Sequence, residues 1–540
     1  MPTPQRTEYV SAPSSVSSDT SAVHPRSAVE PRVFWPAAIV VVAFTVYAIV
    51  FRETAAEQAK ALQDNVIGGM GWYYIVIVSL FVVFAIWLGL GRFGDITLGD
   101  DGEPAEYSIT AWLAMLFAAG MGIGLVFWGV AEPLFHYDDP RPGVGDTDAQ
   151  RADAAMVQTF LHWGIHPWAI YVVVGLAIAY SIHRRKRPVS IRWALESLAP
   201  ERIRGWRGDL IDIVAVIGTV FGVATSLGLG VLQISAGLNY QGWINQPGKG
   251  FQVVLIIAVT LLATVSVVTG VDRGIKWLSQ INMGLAGMLL LFVLAVGPTL
   301  FIVNDLVQNI GTYLQQLPKI SLYTGATEGP KGTNWTQQWT VFYWGWWISW
   351  APFVGVFIAR ISRGRTVREF VAGVLLVPTL LTFLWFSVFG GAGLFREMFG
   401  GGGLVGPEGP DRDSALFSLL HTLPGGALTA GIAILVIVLF FVTSADSGAL
   451  VVNMISSGGN PEPPVWSRVF WTCSMGTVAI ALLVASGEGA QALTTLQTVA
   501  VLIALPFSVV MLAMCVALVR TFRSDRATRT GRTPKRAGVG

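Results

Sequence analysis

The 540-residue sequence predicts an all-α membrane protein with twelve transmembrane helices. Three observations carry that reading. Charged residues are 13% of the chain and hydrophobic ones 53%, where ordinary soluble domains carry roughly 25% charge. Mean hydropathy is +0.59, more apolar surface than a soluble core of this size can hide. Finally, twelve apolar stretches are each long enough to cross about 30 Å of hydrocarbon at ~20 residues per crossing.

Taken in order, residues 1–32 are polar and rich in Ser, Pro and Thr, a composition that predicts a disordered tail. No apolar signal-peptide core precedes the first long stretch. The twelve spans are expected at 33–51, 72–90, 108–131, 157–182, 209–235, 251–269, 276–303, 335–361, 366–390, 427–455, 466–486 and 491–519. They form one membrane domain over 33–519, followed by a basic tail at 520–540. An even count puts both termini on one side. With the termini inside, 26 of the 35 Lys and Arg fall on the inner face, so the positive-inside rule makes both termini cytoplasmic and the chain a multi-pass protein of the cell membrane. Two connections are more than linkers. Residues 304–317 put Leu306, Ile310, Leu314 and Leu317 on one helical stripe too short to span, which predicts an interfacial amphipathic helix. Residues 391–426 read as a long Gly-rich outer loop, with a breaker run at 400–403. The tail from Arg520 onward has seven basic residues and one acid; a solvated positive-inside anchor is the plainer reading and an anionic-lipid contact the sharper one.

The net charge of +2 gives no footing for nucleic acid. The two cysteines, Cys473 and Cys515, each lie in an apolar run and suggest neither a disulfide nor a metal site. His162 and His166 have i,i+4 spacing but no acidic or cysteine company, so they read as structural. Without clustered nucleophile, base or metal ligands, a membrane enzyme is not expected. A channel would need a symmetric pore lining.

Chemistry points instead to irregular spans, because lipid tolerates a broken helix only where protein or a cavity satisfies its backbone. Span 3 holds Gly120, Gly122 and Gly124 within AAGMGIG, and each interior glycine costs ~1 kcal/mol of helix stability relative to Ala. Three together predict an unwound stretch of the kind transporters aim at carboxylates and sodium. In span 4, Trp163, Trp168 and Tyr171 fall within about 140° of one another on a helix, and Pro167 predicts a bend. Span 8 packs Trp344, Trp346, Trp347 and Trp350 into seven residues. An interfacial belt accounts for Trp344 and in part Trp346. Indoles deeper in two spans suit a cage for a quaternary ammonium, which has no N–H to donate and is held by cation–π attraction. Thr443 and Ser444 in span 10 and Thr219 in span 5 offer neutral oxygens, and Asp446 is an intramembrane acid standing alone.

Together, GMGIGLVFWGVAEP (120–133), HWGIHPWAIY (162–171) and YWGWWISWAPFVGVFIARISRGRTVREF (343–370) resemble the betaine–carnitine–choline transporter family across all twelve spans. The resemblance implies leucine-transporter-like inverted repeats of spans 3–7 and 8–12, and a homotrimer joined partly through the 304–317 helix. It implies an aromatic box of Trp163, Trp168, Tyr171 and Trp347, with Trp346 and Trp350 along the access route and Gly120, Gly122 and Gly124 meeting a carboxylate. A sodium ion would be held by Ala118, Met121, Phe440, Thr443 and Ser444. A second site in sodium-coupled betaine carriers matches Thr219 and Phe353, but its other threonine is Val223 here, which has no oxygen. Choline-carrying relatives tend to have an aspartate at the position of Gly124, so a zwitterion is expected. Sodium-coupled import of glycine betaine, for osmoprotection, is the reading the resemblance supports, with choline, carnitine, ectoine or proline-type osmolytes, or exchange, as alternatives.

Overall fold

The computed structural model describes residues 29–529 except 63–64, 66–67, 121, 270–271 and 486–489. The expected N-terminal tail up to residue 28 and the end of the C-terminal one lie outside the described residues. The first span is α1 (Pro31–Val50), which opens on a proline where a missing N–H costs nothing. A short polar helix absent from the sequence reading, α2 (Arg52–Leu62), leads into α3 (Gly68–Leu90).

Span 3 is not one helix. It is α4 (Ile109–Gly120) and α5 (Ile123–Asp138), with Gly122 extended between them at φ −155°, ψ −175°. Eleven helices among the described residues are long and apolar enough to cross a membrane, against the twelve expected, because neither piece of span 3 reaches spanning length alone. Span 4 is also broken: α6 (Asp148–Trp163), started by a Thr147–Gln150 capping box, stops at Gly164, and α7 (Ile165–Ala179) follows. The bend expected at Pro167 is therefore a break three residues earlier. Pro167 sits in the first turn of α7, where its missing donor has no intrahelical partner to lose.

Helices α8 (Trp206–Tyr240), α9 (Lys249–Thr269) and α10 (Asp272–Val296) supply spans 5 to 7. Helix α11 (Thr299–Ser321) is longer than the interfacial segment expected at 304–317. Its packed face joins the fully buried Ile302, Asn309, Tyr313 and Ile320 to the half-buried Leu306, Ile310 and Leu317 of the expected stripe, while Leu314 stays 59% exposed. Helix α11 packs on α6 and the span-9 helix, so this face is held by protein and takes Asn and Tyr alongside Leu. Span 8 runs from α12 (Gly329–Thr336) through a wide turn at Gln337–Val341 into α13 (Phe342–Arg360). Span 9, α14 (Val367–Phe399), extends nine residues past its expected end. Its glycines there are packing notches: a side chain on Gly390 would strike Pro133 of α5. The expected long outer loop is thus reduced to the Gly401–Gly403 turn, all at positive φ, a two-residue ladder (Val405–Gly406 with Gly409–Pro410) and α15 (Ala415–His421). Helices α16 (Gly426–Ser456), α17 (Val465–Ala485) and α18 (Ala490–Arg529) complete the chain.

The packing repeats when spans 3–7 are exchanged with 8–12. Span 4 packs on span 8 as span 9 packs on span 3; span 5 packs on spans 11 and 12 as span 10 packs on 6 and 7; pairs 5–10 and 6–11 map onto themselves. Five crossings per half is an odd number, so the second half enters from the opposite face and the repeat is inverted. The connections sort accordingly. On one side Arg184, after span 4, bonds Asp101 after span 2 and Asp525 of α18, and Arg363 after span 8 pairs with Glu103. On the other, the Trp335 indole N–H donates to the Asp139 carbonyl and Arg141 lies over Tyr323.

The α5–α14 contact is close enough to test. Gly390→Val should destabilise the fold by about 1–3 kcal/mol through overpacking, read as a lower apparent Tm in detergent; an unchanged Tm would mean the two helices are not held at that distance.

Candidate functional site

Both helix breaks face one cavity. It is lined by Gly122, Gly124 and Leu125 at the start of α5, Trp163, Pro167, Trp168 and Tyr171 of span 4, Ser226 of α8, Trp346, Trp347, Trp350 and Val354 of α13, and Thr382 of α14. All six aromatic residues singled out in the sequence are there, with Gly122 and Gly124. Gly120 is the last residue of α4. Trp163 ends one helix and Trp168 and Tyr171 begin the next, so the single helical face expected for them is instead a corner.

The rings are tethered by their polar edges. Trp347 Nε1 donates to the His162 carbonyl at 2.9 Å and Trp350 Nε1 to the Gly222 carbonyl at 2.8 Å. Trp346 Nε1 donates to Ser226 Oγ at 3.2 Å, and Trp163 Nε1 to Glu132 Oε2 at 2.7 Å. A buried indole wants its N–H partnered, and once that edge is fixed the face can only point one way. Trp346 and Trp347 stack at 4.7 Å between centroids, and Trp163 stands edge-on to Trp347 at 4.9 Å. Gly124 makes room for this: a Cβ there would lie 2.7 Å from Trp346 Cη2 and 3.0 Å from Trp163 Cη2.

Beside the rings, α5 begins with no side-chain cap. Its first-turn N–H groups and dipole favour an anion. The break is braced from α14, where Trp385 Nε1 donates to the Leu125 carbonyl at 2.8 Å. The cavity thus offers aromatic faces to a cation and, next to them, backbone donors to an anion.

A second cavity adjoins it across Trp350 and Val354, lined by Phe353, Phe440, Thr443 and Ser444 together with Ser279, Asn282 and Ser447. Phe353, assigned by resemblance to a second ion site, therefore shares a cavity with the residues of the first. Thr443 Oγ1 bonds the Leu439 carbonyl at 2.9 Å, leaving its lone pairs to face the space. Thr219 donates to the Ala215 carbonyl and does not line this cavity. Val223 is fully buried, and a side chain on Gly448 would touch it at 3.0 Å, which makes it a packing residue. Ala118 lies in α4, and Met121 is outside the described residues.

Several residues read differently in space. Trp344 is fully buried and stacks on His166 at 5.1 Å, so it is no interface anchor. Asp446 is not alone: Arg468 Nη2 bonds it at 2.8 Å. The break at Gly164 puts His162 and His166 on different helices. Glu132 went unread because span 3 was ended at residue 131, whereas α5 continues to Asp138. The rule that flagged Asp446 would have found it. Its carboxylate accepts from Trp163, from Tyr343 Oη–H, and from His162 Nδ1 at 2.6 Å. Ligand atoms of Glu132, His136 and His162 lie within 4.8 Å of one another, but both Glu132 oxygens are already taken by protein donors, so the group is a hydrogen-bond network first.

A cavity of this kind at paired helix breaks, inside inverted five-helix repeats, defines a membrane transporter and not an enzyme. The sequence profile of the betaine/carnitine/choline family transporters (BCCT) matches residues 32–527, and the chain belongs to that family. It is 51% identical over 503 residues to a transporter of Mycobacterium tuberculosis, covering 92% of this chain and 84% of that one. It is 43% identical over 489 residues to glycine betaine transporter 1 of Vibrio parahaemolyticus, covering 89% and 92%. It is 39% identical over 510 residues to the high-affinity choline transport protein of Escherichia coli, covering 94% and 74%.

If the indoles form a cation cage, Trp347→Ala should weaken substrate binding roughly tenfold or more, from the ~1.5–2 kcal/mol a desolvated cation–π contact contributes. Trp243, 62% exposed and remote from the cavity, is the control. Equal effects of Trp243→Ala and Trp347→Ala on affinity would show that the cluster only packs.

Proposed function

We propose that this protein imports a quaternary-ammonium zwitterion, glycine betaine in the first place, by sodium symport. The observation that carries the reading is the cavity at the helix breaks. Indole faces of Trp163, Trp346 and Trp347 suit a trimethylammonium group, and the uncapped start of α5, which lines the same cavity, suits a carboxylate. Choline has only the first of these groups. The neutral oxygens of Thr443, Ser444, Ser279 and Asn282 fit a hard monovalent cation, and the shared wall at Trp350 and Val354 gives a route by which its binding could be felt by the substrate. Accumulated betaine would serve osmoprotection. The orientation proposed is both termini cytoplasmic, since the face joined by Arg184, Arg363 and Asp525 is also the basic one. A homotrimer is proposed through α11, whose outward side shows Leu300, Val303, Val307 and Leu314.

The deciding experiment is uptake of radiolabelled glycine betaine into proteoliposomes with and without an inward sodium gradient. Accumulation only with the gradient supports the proposal; saturable counterflow without it would turn the reading to exchange.

Two variants sharpen it. Replacing Thr443 and Ser444 together by Ala removes two oxygens, and half-saturating sodium should rise several-fold while the protein still inserts. Unchanged sodium dependence would remove the ion from that cavity. For the substrate, unlabelled choline should compete poorly with labelled betaine on the wild type. Gly124→Asp should abolish most betaine uptake, by repelling its carboxylate at close range and by pushing Trp346 and Trp163 apart. Wild-type transport of choline as good as that of betaine would show that the carboxylate is not being read at α5.

A further inference from the structure

Glu132 is an ionisable group fully buried one indole away from the cavity, and neither the cage nor the ion site uses it. Its surroundings fix its protonation pattern. Gln158 Nε2, an amide nitrogen that can only donate, lies 3.0 Å from His162 Nε2. The tautomer in which that nitrogen accepts from Gln158 and from the Thr340 hydroxyl, also at 3.0 Å, puts the imidazole proton on Nδ1, pointing at Glu132 Oε1 at 2.6 Å. Trp163 Nε1–H, which can only donate, is aimed at Oε2 at 2.7 Å, and Tyr343 Oη–H at the same oxygen. Three donors converge on one carboxylate, an arrangement that favours the anion over the neutral acid.

The negative charge is held against the back edge of a cage ring. Trp163 presents its N–H edge to Glu132 and its far edge to Gly124, with the ring lining the cavity between. In a low-dielectric interior a charge at that range is weakly screened. It attracts a cation lodged against the ring, and by polarising the N–H it enriches the face the cation meets.

We infer that Glu132 is a positioning residue that sets the charge selectivity of the cage, acting through the Trp163 indole to favour a cationic head over a neutral one of the same shape. This rests on the betaine-class reading above. It separates two properties of the site: shape and apolar contact come from the tryptophans, and preference for positive charge comes in large part from Glu132.

The test compares glycine betaine with 3,3-dimethylbutanoate, in which carbon replaces the quaternary nitrogen and only the charge is lost, by competition binding to purified full-length protein. The wild type should prefer betaine. Glu132→Gln should lower the ratio of the two affinities roughly tenfold, mainly by weakening betaine, and Glu132→Asp should keep much of the ratio even where both ligands weaken. If Glu132→Gln does not insert, the pair Glu132→Gln with Tyr343→Phe removes the donor crowding the new amide and serves the same comparison. Parallel weakening of both ligands, or an unchanged ratio, would overturn the inference and leave Glu132 as a structural tether. A wild type that binds neither ligand would instead sink the betaine-class reading, and this inference with it.

Discussion

A helix broken inside a membrane exposes carbonyls and amides that lipid cannot bond, and the centre of this protein is organised around meeting that demand. Spans 3 and 4 break at Gly122 and Gly164. The carbonyls near those breaks are bonded by the other half of the molecule: His162 by Trp347, Trp163 by Thr382 and Leu125 by Trp385. The groups that repair the backbone are largely those that build the cavity. An indole recruited to bond a stranded carbonyl must turn its face sideways, and sideways is where the cavity lies. Stability of the breaks and shape of the site are one problem with one solution.

This coupling explains the close glycines around the cage. Gly222 lets α8 approach α13 until its missing side chain would sit 2.8 Å from Ser349 Oγ, and Gly124 yields its space to two rings. Neither position has a positive φ; what each supplies is distance.

Much of this was legible in the sequence because lipid is a harsh reader. Length and hydropathy placed every span to within several residues, and the glycine run and the deep tryptophans marked the cavity. What was not legible came from partners far apart in the chain. Pro167 suggested a bend, but the break falls at Gly164, where Thr382 and Trp347 of other helices reward it. Trp344 looked like a belt residue until His166 was stacked against it. Gly391 and Gly393 looked like loop until Ile302 was found beside the first and Val130 and Leu134 beside the second. Glu132 was hidden by a boundary drawn seven residues early, since an acid just outside a span draws no notice and one just inside it does.

The inner face is closed by residues that are made at very different times. Arg184 is held between Asp101 and Asp525, and the latter follows it by 341 residues. At ~5–20 residues per second of synthesis, Arg184 waits about 20 to 70 seconds for that partner. The loop after span 2 is joined earlier to the loop after span 8, through Glu103 and Arg363, so what waits for α18 is the pairing of Arg184 with Asp525. Quality control that senses exposed charge at the membrane surface would therefore see Arg184 half-paired until Asp525 is made, and a chain cut short just after its last crossing would carry every span and still lack that contact.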